Sequence, residues 1–390
     1  MSTKIKVMKN VEDNVLNRRG EINAIDSELL ELLNRRAEIA LWLGAIKTFD
    51  DIALCDHNRE REVLERLATE NRGPLDDQSI ANIFQRIIDE SLYLQQRTYQ
   101  KKAKSTAKSK RKLPEKSRVA FLGEPGTFSE EAALTMMGDK CQTVSCPTFE
   151  DLFQAIHRGQ ADYILAPIEN SLVGSIHRSF DLLLSSSLHI CAEVILPISH
   201  FLIGPPGSTI ESIRTVESHP AALGQCEMFF AEKHHLVRIE ADDTASSVRR
   251  AVESGDVSRA AIGSERAAKI YGGKIIRKNI EDHEANYTRF VLLTSDAEFS
   301  RHGTKFSLLV RLRHQPGSLH GALRPFVRRG INLLKIESRP IKGNPSEYSF
   351  YFDIEVPASE SELRGALEEI NELAEEVRTL GRYSVTNLTK

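Results

Sequence analysis

No proline interrupts the chain from Val11 to Phe49, and Ile22, Ile25, Leu29, Leu32, Leu33, Ile39, Leu43 and Ile46 recur there mostly at steps of three and four. That period predicts one amphipathic helix of roughly 38 residues, about 57 Å long at 1.5 Å per residue. Such a length exceeds that of an ordinary globular helix. A second helix is expected from Asp56, its N-cap, to Arg72, where Gly73-Pro74 stops it. A third follows Leu75-Asp76 and runs through Gln95. Three helices with so small a core leave apolar surface exposed in a single chain, so pairing with a second chain is expected.

The 390 residues allow two to four domains. A formal charge of −3 and 41% hydrophobic residues are those of an ordinary water-soluble protein. No apolar run approaches the roughly 18–20 residues of a membrane span, and Met1 to Asn10 lack the apolar stretch of a secretory signal. Cys55, Cys141, Cys146, Cys191 and Cys226 are odd in number and irregularly spaced, which argues against a disulfide framework or a zinc site and for a cytoplasmic location. Charge is uneven. Between Arg97 and Arg118 ten basic residues meet one acid, a net of +9, leaving −12 on the rest of the chain. A nucleic-acid arm is one reading of this run. A solvated linker over residues 101–116 is the favoured one, because KKAKSTAKSKRK has no aromatic and no apolar residue larger than alanine.

Beyond the linker the pattern changes twice. Val119–Gly123, Tyr163–Ile168, Ala260–Gly263 and Phe290–Thr294 read as short buried strands, with Ser129–Met137 as a helix, so residues 117–296 form an α/β domain in two lobes. In residues 304–386, Lys305–Leu312, Ile331–Ser338 and Tyr348–Val356 read as strands and Gly317–Arg329 and Ser359–Val377 as helices. With Tyr383–Thr386 as a last strand, that order is ferredoxin-like.

In the helical region, residues 10–100, Arg36 and Lys47 are eleven apart and share one helix face, whereas Arg19 falls about 100° from Arg36. A site within one chain would not easily use Arg19, which in an antiparallel dimer could reach into the partner's site. Asp56, Arg59 and Glu60 share a face of the second helix, and Ser91 and Gln95 one of the third. Cations with neutral donors suit a dicarboxylate ligand. The strings RRGEINAIDSELLELLNRRAEIA, DHNRE and IIDESLYLQQ, with Lys47, resemble the all-helical chorismate mutases, whose intertwined dimer encloses each site. The resemblance implies that Arg19, Arg36, Lys47, Arg59, Glu60 and Gln95 act in catalysis and that Asp56 and Ser91 bind substrate. Such a rearrangement needs no nucleophile or base, only a compact conformer and stabilised charge on the ether oxygen.

Four motifs mark the α/β region. GEPGTFSEEAA (residues 123–133) sets backbone N–H groups and hydroxyls at a helix start, which favours an anion. PIENSLVGSI (167–176), ESHPAALGQC (217–226) and NYTRF (286–290) follow, the last placing Thr288 and Arg289 just before an apolar strand. Together they resemble prephenate dehydratases, which bind prephenate between two lobes of a periplasmic-binding-protein-like domain. The resemblance implies Thr288 as the catalytic residue, with Asn170, Gln225 and Arg289 binding substrate and Thr127, Ser129, Ser171, Ser218 and Thr244 in support. Arg289 is expected to anchor a carboxylate. His219 is a tempting general acid at neutral pH, but the resemblance assigns it to loop support.

RHQPGSLHGAL (313–323) and INLLKIESRP (331–340) resemble ACT domains. The implied effector is L-phenylalanine, held between two subunits by Gly317, Ser318, Leu319, Asn332, Leu333, Glu337 and Ser338. The whole chain thus resembles a bifunctional chorismate mutase–prephenate dehydratase: a cytoplasmic homodimer or higher even oligomer acting on chorismate and prephenate. No cofactor, metal, nucleic acid or membrane is expected. Two alternatives remain open, a decarboxylase that leaves the ring unaromatised and a non-catalytic sensor of aromatic ligands.

Overall fold

The computed structural model describes residues 2–49, 57–99, 116–138, 140–297, 302–341, 343–357 and 359–387. The expected N-cap Asp56 and nearly all of the expected linker lie outside these residues. Three helices open the chain, α1 (Ser2–Phe49), α2 (His57–Glu70) and α3 (Asp77–Tyr99). The first lobe of the α/β region follows with β1 (Arg118–Leu122), α4 (Phe128–Met137), β2 (Gln142–Cys146), α5 (Phe149–Gln154), β3 (Tyr163–Asn170), β4 (Gly174–Ser175), α6 (His177–Ser185) and β5 (His189–Pro197). The second lobe comprises β6 (Phe201–Gly204), β7 (Thr215–Ser218), α7 (Pro220–Gly224), α8 (Glu227–Glu232), β8 (Val237–Glu240), α9 (Thr244–Ser254), β9 (Arg259–Gly263), α10 (Glu265–Tyr271) and β10 (Lys274–Arg277). The chain then returns to the first lobe in β11 (Tyr287–Thr294). It ends with β12 (Lys305–Arg311), α11 (Ser318–Arg328), β13 (Leu333–Ile341), β14 (Asn344–Glu355), α12 (Glu360–Leu373) and β15 (Glu376–Asn387).

Two compact units result. One holds the N-terminal helices with segments 319–332 and 357–373; the other holds residues 107–318, 333–356 and 374–390. In the first unit α3 packs against both α1 and α2. The side chain of Asp76 accepts from Ser79 N at 2.6 Å and so caps α3. Helix α1 begins well before Val11, and α3 continues past Gln95 to Tyr99. Much of the apolar stripe of α1 stays uncovered, Ile25, Leu29, Leu32, Ile39 and Trp42 all being exposed. No helix among the described residues is long and apolar enough to cross a membrane.

In the second unit the larger sheet runs β13-β14-β12-β15-β5-β11-β3-β1-β2, with β4 paired to β3, and the smaller β10-β6-β9-β7-β8. The four strands β12 to β15 take the ferredoxin-like order. Strand β15 also pairs in parallel with β5, from Ser384 opposite Ala192 to Asn387 opposite Ile195, so one sheet runs through both regions. Phe180, Tyr351 and Tyr383 are fully buried in the core along this seam. Two expectations need correction. The last helix ends at Leu373 rather than Val377, because Glu375 N donates to Arg311 O and the chain from Glu376 pairs with β12. Thr288 and Arg289 lie inside β11 rather than before it, since Thr288 is already paired with Asn170 on one side and Leu196 on the other.

The expected anion site at the glycine-rich turn is filled by the chain itself. Buried Glu130 accepts from Gly126 N at 2.8 Å, from Arg266 Nε at 2.7 Å and from Thr143 Oγ1 at 3.3 Å. Gly126 has φ +93, and a Cβ there would come within 2.8 Å of Ala267 Cα, so only glycine lets the turn meet α10. Burial pushes the Glu130 carboxyl up, but Arg266 and the Gly126 N–H outweigh it and leave the group below its usual 4.5. Its depressed value stabilises the fold above pH 4.5, and that contribution is lost as pH falls further. Glu130→Ala should lower stability at pH 7 by about 2–3 kcal/mol. The gap between wild type and Glu130→Gln should narrow in urea titrations repeated below pH 4.5.

Candidate active sites

In the helical unit, the expected residues of α1 and α3 meet. Arg36 Nη1 donates to Ser91 Oγ at 2.6 Å and to Ile87 O at 3.5 Å. Gln95 Nε2 donates to Ala40 O. Gln95 lies against α1 because Gly44 has no side chain; a Cβ there would fall 2.9 Å from Gln95 Cγ. Burial lowers the Arg36 guanidinium below its usual value, and it remains a cation at neutral pH. Glu60 pairs with Arg328 of α11, which also reaches Asp89 Oδ1 at 3.0 Å and Glu369 Oε1 at 3.3 Å. Arg328 is almost fully buried, and nothing in its sequence context singled it out. Arg59 is exposed and pairs with Glu62 at 2.8 Å, while Arg19 is exposed on α1. Asp56 and the side chain of Lys47 lie outside the described residues.

In the second unit, the chain crosses between lobes at residues 198–200 and 278–286, and both crossings supply polar groups. Asn170 Nδ2 donates to Asn286 Oδ1 at 2.8 Å, Tyr287 O at 3.2 Å and Thr288 Oγ1 at 3.1 Å. Its Oδ1 accepts from Leu172 N and Val173 N, each at 3.0 Å, and from Gln225 Nε2 at 3.4 Å. Gln225 Oε1 in turn accepts from Asn286 Nδ2 and faces His200 Nε2, both at 2.8 Å. An oxygen facing His200 Nε2 requires the proton to sit there, which leaves Nδ1 bare; Nδ1 is buried with no partner among the described residues. Ser171 Oγ donates to Ala285 O at 3.0 Å and accepts from Tyr287 N at 2.9 Å, tying the turn after β3 to the second crossing.

The remaining expected residues serve the scaffold as the structure stands. Thr127 is the N-cap of α4, Ser129 is buried in that helix's first turn, and Thr244 opens α9 behind the Asp243 cap. Ser218 Oγ donates to Ile262 O at 2.7 Å. His219 caps α7 through Ala221 N and is exposed. Arg289 stands apart from these. Neighbours in a strand point to opposite faces, so Arg289 turns away from the Thr288 side and meets Glu193 Oε2 at 2.7 Å, Asp353, and Glu169 Oε2 at 3.6 Å. Three carboxylates of the chain already hold the cation expected to anchor substrate. Burial disfavours its charge, but Asp353 and Glu193 hold Arg289 protonated well above the usual range.

Among the expected effector residues, Gly317 (φ +83) precedes α11, Ser318 begins it, Leu319 and Asn332 are exposed, and Leu333 opens β13. Glu337 and Ser338 share β13 but face opposite ways. Glu337 accepts from Ser175 Oγ at 2.5 Å, whereas Ser338 is exposed.

Asn286 opens the NYTRF motif but was passed over for Thr288 and Arg289, and His200 falls in no motif and simply joins two apolar segments. Burial pulls the His200 imidazole below its usual 6.5. The unfolded chain therefore takes up a proton first as pH falls below 6.5, and the fold loses stability there. Replacing His200 with Gln should flatten the pH dependence of the unfolding midpoint below pH 6.5, measured by denaturant titration.

Comparison with known proteins places these arrangements in one lineage. The chorismate mutase type II family matches residues 18–96, prephenate dehydratase residues 119–298 and the ACT domain residues 306–375. A solved structure titled as a prephenate dehydratase from Arthrobacter aurescens in complex with L-Phe is 28% identical, with a TM-score of 0.63, covering 68% of this chain and 90% of that one. Another, titled as the quorum-quenching acylase GqqA, is 32% identical at the same TM-score of 0.63, covering 69% of this chain and 98% of that one. The bifunctional chorismate mutase/prephenate dehydratase of Neisseria gonorrhoeae is 35% identical over 374 residues, covering 96% of this chain and 98% of the relative. With three family matches in that order and a relative aligned from end to end, the chain belongs to the bifunctional chorismate mutase/prephenate dehydratase family.

Proposed function

We propose that the chain converts chorismate to prephenate and prephenate to phenylpyruvate in phenylalanine biosynthesis, under feedback by L-phenylalanine. Residues 10–100, 117–296 and 304–386 are the mutase, dehydratase and ACT domains, and the protein works in the cytoplasm. Four described cysteines being free thiols agrees with that compartment. The fold alone does not decide the activity, since a chain titled as an acylase shares it. The hydrogen bond from Asn170 to Thr288 carries the dehydratase reading.

Thr288 Oγ accepts from Asn170, and among the described residues nothing takes the Thr288 proton. That proton is free for the leaving hydroxyl of prephenate. As the ring carboxylate departs as carbon dioxide, its electron pair enters the ring and the hydroxyl leaves, protonated, as water. The ring becomes aromatic, so the protein has only to hold the substrate and assist that departure. In the helical domain Arg36 and Ser91 present a cation and a hydroxyl, and Gln95 supplies an amide donor. With Lys47, they suit two carboxylates and a developing charge on an ether oxygen.

The exposed α1 stripe supports the mutase reading, because pairing of two chains would cover it and bring in Arg19 from the partner. Sedimentation should give an even oligomer, and Leu29→Glu with Leu32→Glu should dissociate it and abolish mutase turnover. Chorismate at neutral pH, where prephenate does not aromatise unaided, should yield phenylpyruvate, less of it with L-phenylalanine present. Thr288→Val should slow the dehydratase step by about 100-fold or more while prephenate accumulates at the wild-type rate. Wild-type protein that stops at prephenate would overturn the dehydratase assignment.

A further inference from the structure

Strand β13 turns its two faces to different surroundings. Leu334, Ile336 and Ser338 are exposed, whereas Lys335, Glu337 and Arg339 alternate with them on the shielded face. Each of these three reaches the first lobe. Lys335 Nζ lies 2.8 Å from Glu169 Oε1 and 3.0 Å from Ser175 Oγ. Ser175 Oγ, accepting from that ammonium, gives its own proton to Glu337 Oε2 at 2.5 Å. Arg339 Nε donates to Asp181 Oδ1 at 2.9 Å.

Glu169 and Ser175 are not arbitrary anchors. They face each other across the β3–β4 pair, and the next pair inward is Asn170 with Gly174. Lys335 thus clamps both arms of a tight turn one residue from Asn170, whose amide donates to Thr288. The other oxygen of Glu169 faces Arg289 Nη1 at 3.6 Å, beside Thr288 in β11. Lys335 Nζ also lies 3.6 Å from Glu337 Oε2, so without the ammonium Glu169 and Glu337 would lose the cation between them, and like charges would spread the turn.

We propose that Lys335 is a positioning residue for the dehydratase reaction, acting through Glu169 and Ser175 to aim Asn170 at Thr288. The inference rests on the dehydratase reading above. Because Glu337 lies two residues along the same face and shares Ser175, a shift of β13 reaches the catalytic turn directly.

The test uses the full chain with Lys335→Met, which keeps the aliphatic stem, and Lys335→Arg, which keeps the charge. Lys335→Met should lower dehydratase kcat roughly 10- to 100-fold with KM changed less than about twofold, since misalignment acts on the reacting geometry. Mutase turnover of the same preparation should be unchanged, and Lys335→Arg should recover most of the lost rate. Adding Ser175→Ala to Lys335→Met should cost little more, because both act on one turn. Wild-type kcat and KM in Lys335→Met would overturn the proposal. So would parallel loss of both activities, which marks a merely structural role. Wild-type protein inert toward prephenate would instead sink the dehydratase reading and this proposal together.

Discussion

A guanidinium can be nine-tenths buried only where anions replace its water, and Arg289 meets that condition by drawing on three strands. Glu169 comes from β3, Glu193 from β5 and Asp353 from β14. Lys305 of β12, its Nζ 3.0 Å from both oxygens of Glu193, and Lys335 of β13, 2.8 Å from Glu169 Oε1, balance the surplus. Ser307, Tyr351 and Tyr383 complete the hydrogen bonding around Asp353. Burial pushes Asp353 up, but Arg289 and Lys305 prevail and keep it ionised below its usual range. Removing Arg289 would strand the buried carboxylates of Glu193 and Asp353, a loss of about 3–5 kcal/mol in comparable cases. The strand carrying Thr288 is therefore bolted to the ferredoxin-like strands through the residue next to it.

The opposite face of β11 works by orientation rather than charge. Asn170, Gln225 and Asn286 are amides whose oxygen and nitrogen ends are set only by their neighbours. His200, neutral because it is buried, donates from Nε2 to Gln225, and this direction passes along the amides until Asn170 Nδ2 points at Thr288 Oγ. One buried tautomer thus fixes where a hydroxyl proton can go. His200 and Asn286 lie on the two crossings between lobes, so the same hydrogen bonds define the site and tie the crossings together.

Elements with strong periodicity were legible in the sequence: the long first helix, the βα alternation and the ferredoxin-like order all follow from it. What escaped had no periodic signature. Strands β2 and β8 are half-buried or exposed, so QTVSC and VRIE carry no continuous apolar run. The end of α12 was ambiguous because Ile370, Leu373, Val377 and Leu380 keep helical spacing; only pairing with β12 decides for strand. The union of β15 with β5 is a meeting of backbones, which side chains at Ser384 to Asn387 do not announce. At the site, the resemblance carried by the motifs pointed to Asn170, Gln225 and Thr288, which the structure brings together, while alternation along β11 sets Arg289 among carboxylates of the chain itself. His200 had no motif to betray it.

The faces of β13 bear on how a ligand at one end of the chain could matter at the other. Glu337 and Ser338 are neighbours in sequence, yet the strand sends Glu337 to Ser175 and Ser338 to the exposed side. A ligand on the exposed face would touch Ser338 directly and feel Glu337 only through the backbone. A paired strand moves as a unit, since its ladder to β14 resists local bending. The inner-face residues Lys335 and Glu337 are the ones bonded to the turn that holds Asn170, so a displacement of the strand would act on that turn through them. Differential contact with two positions of one strand is enough to couple two sites.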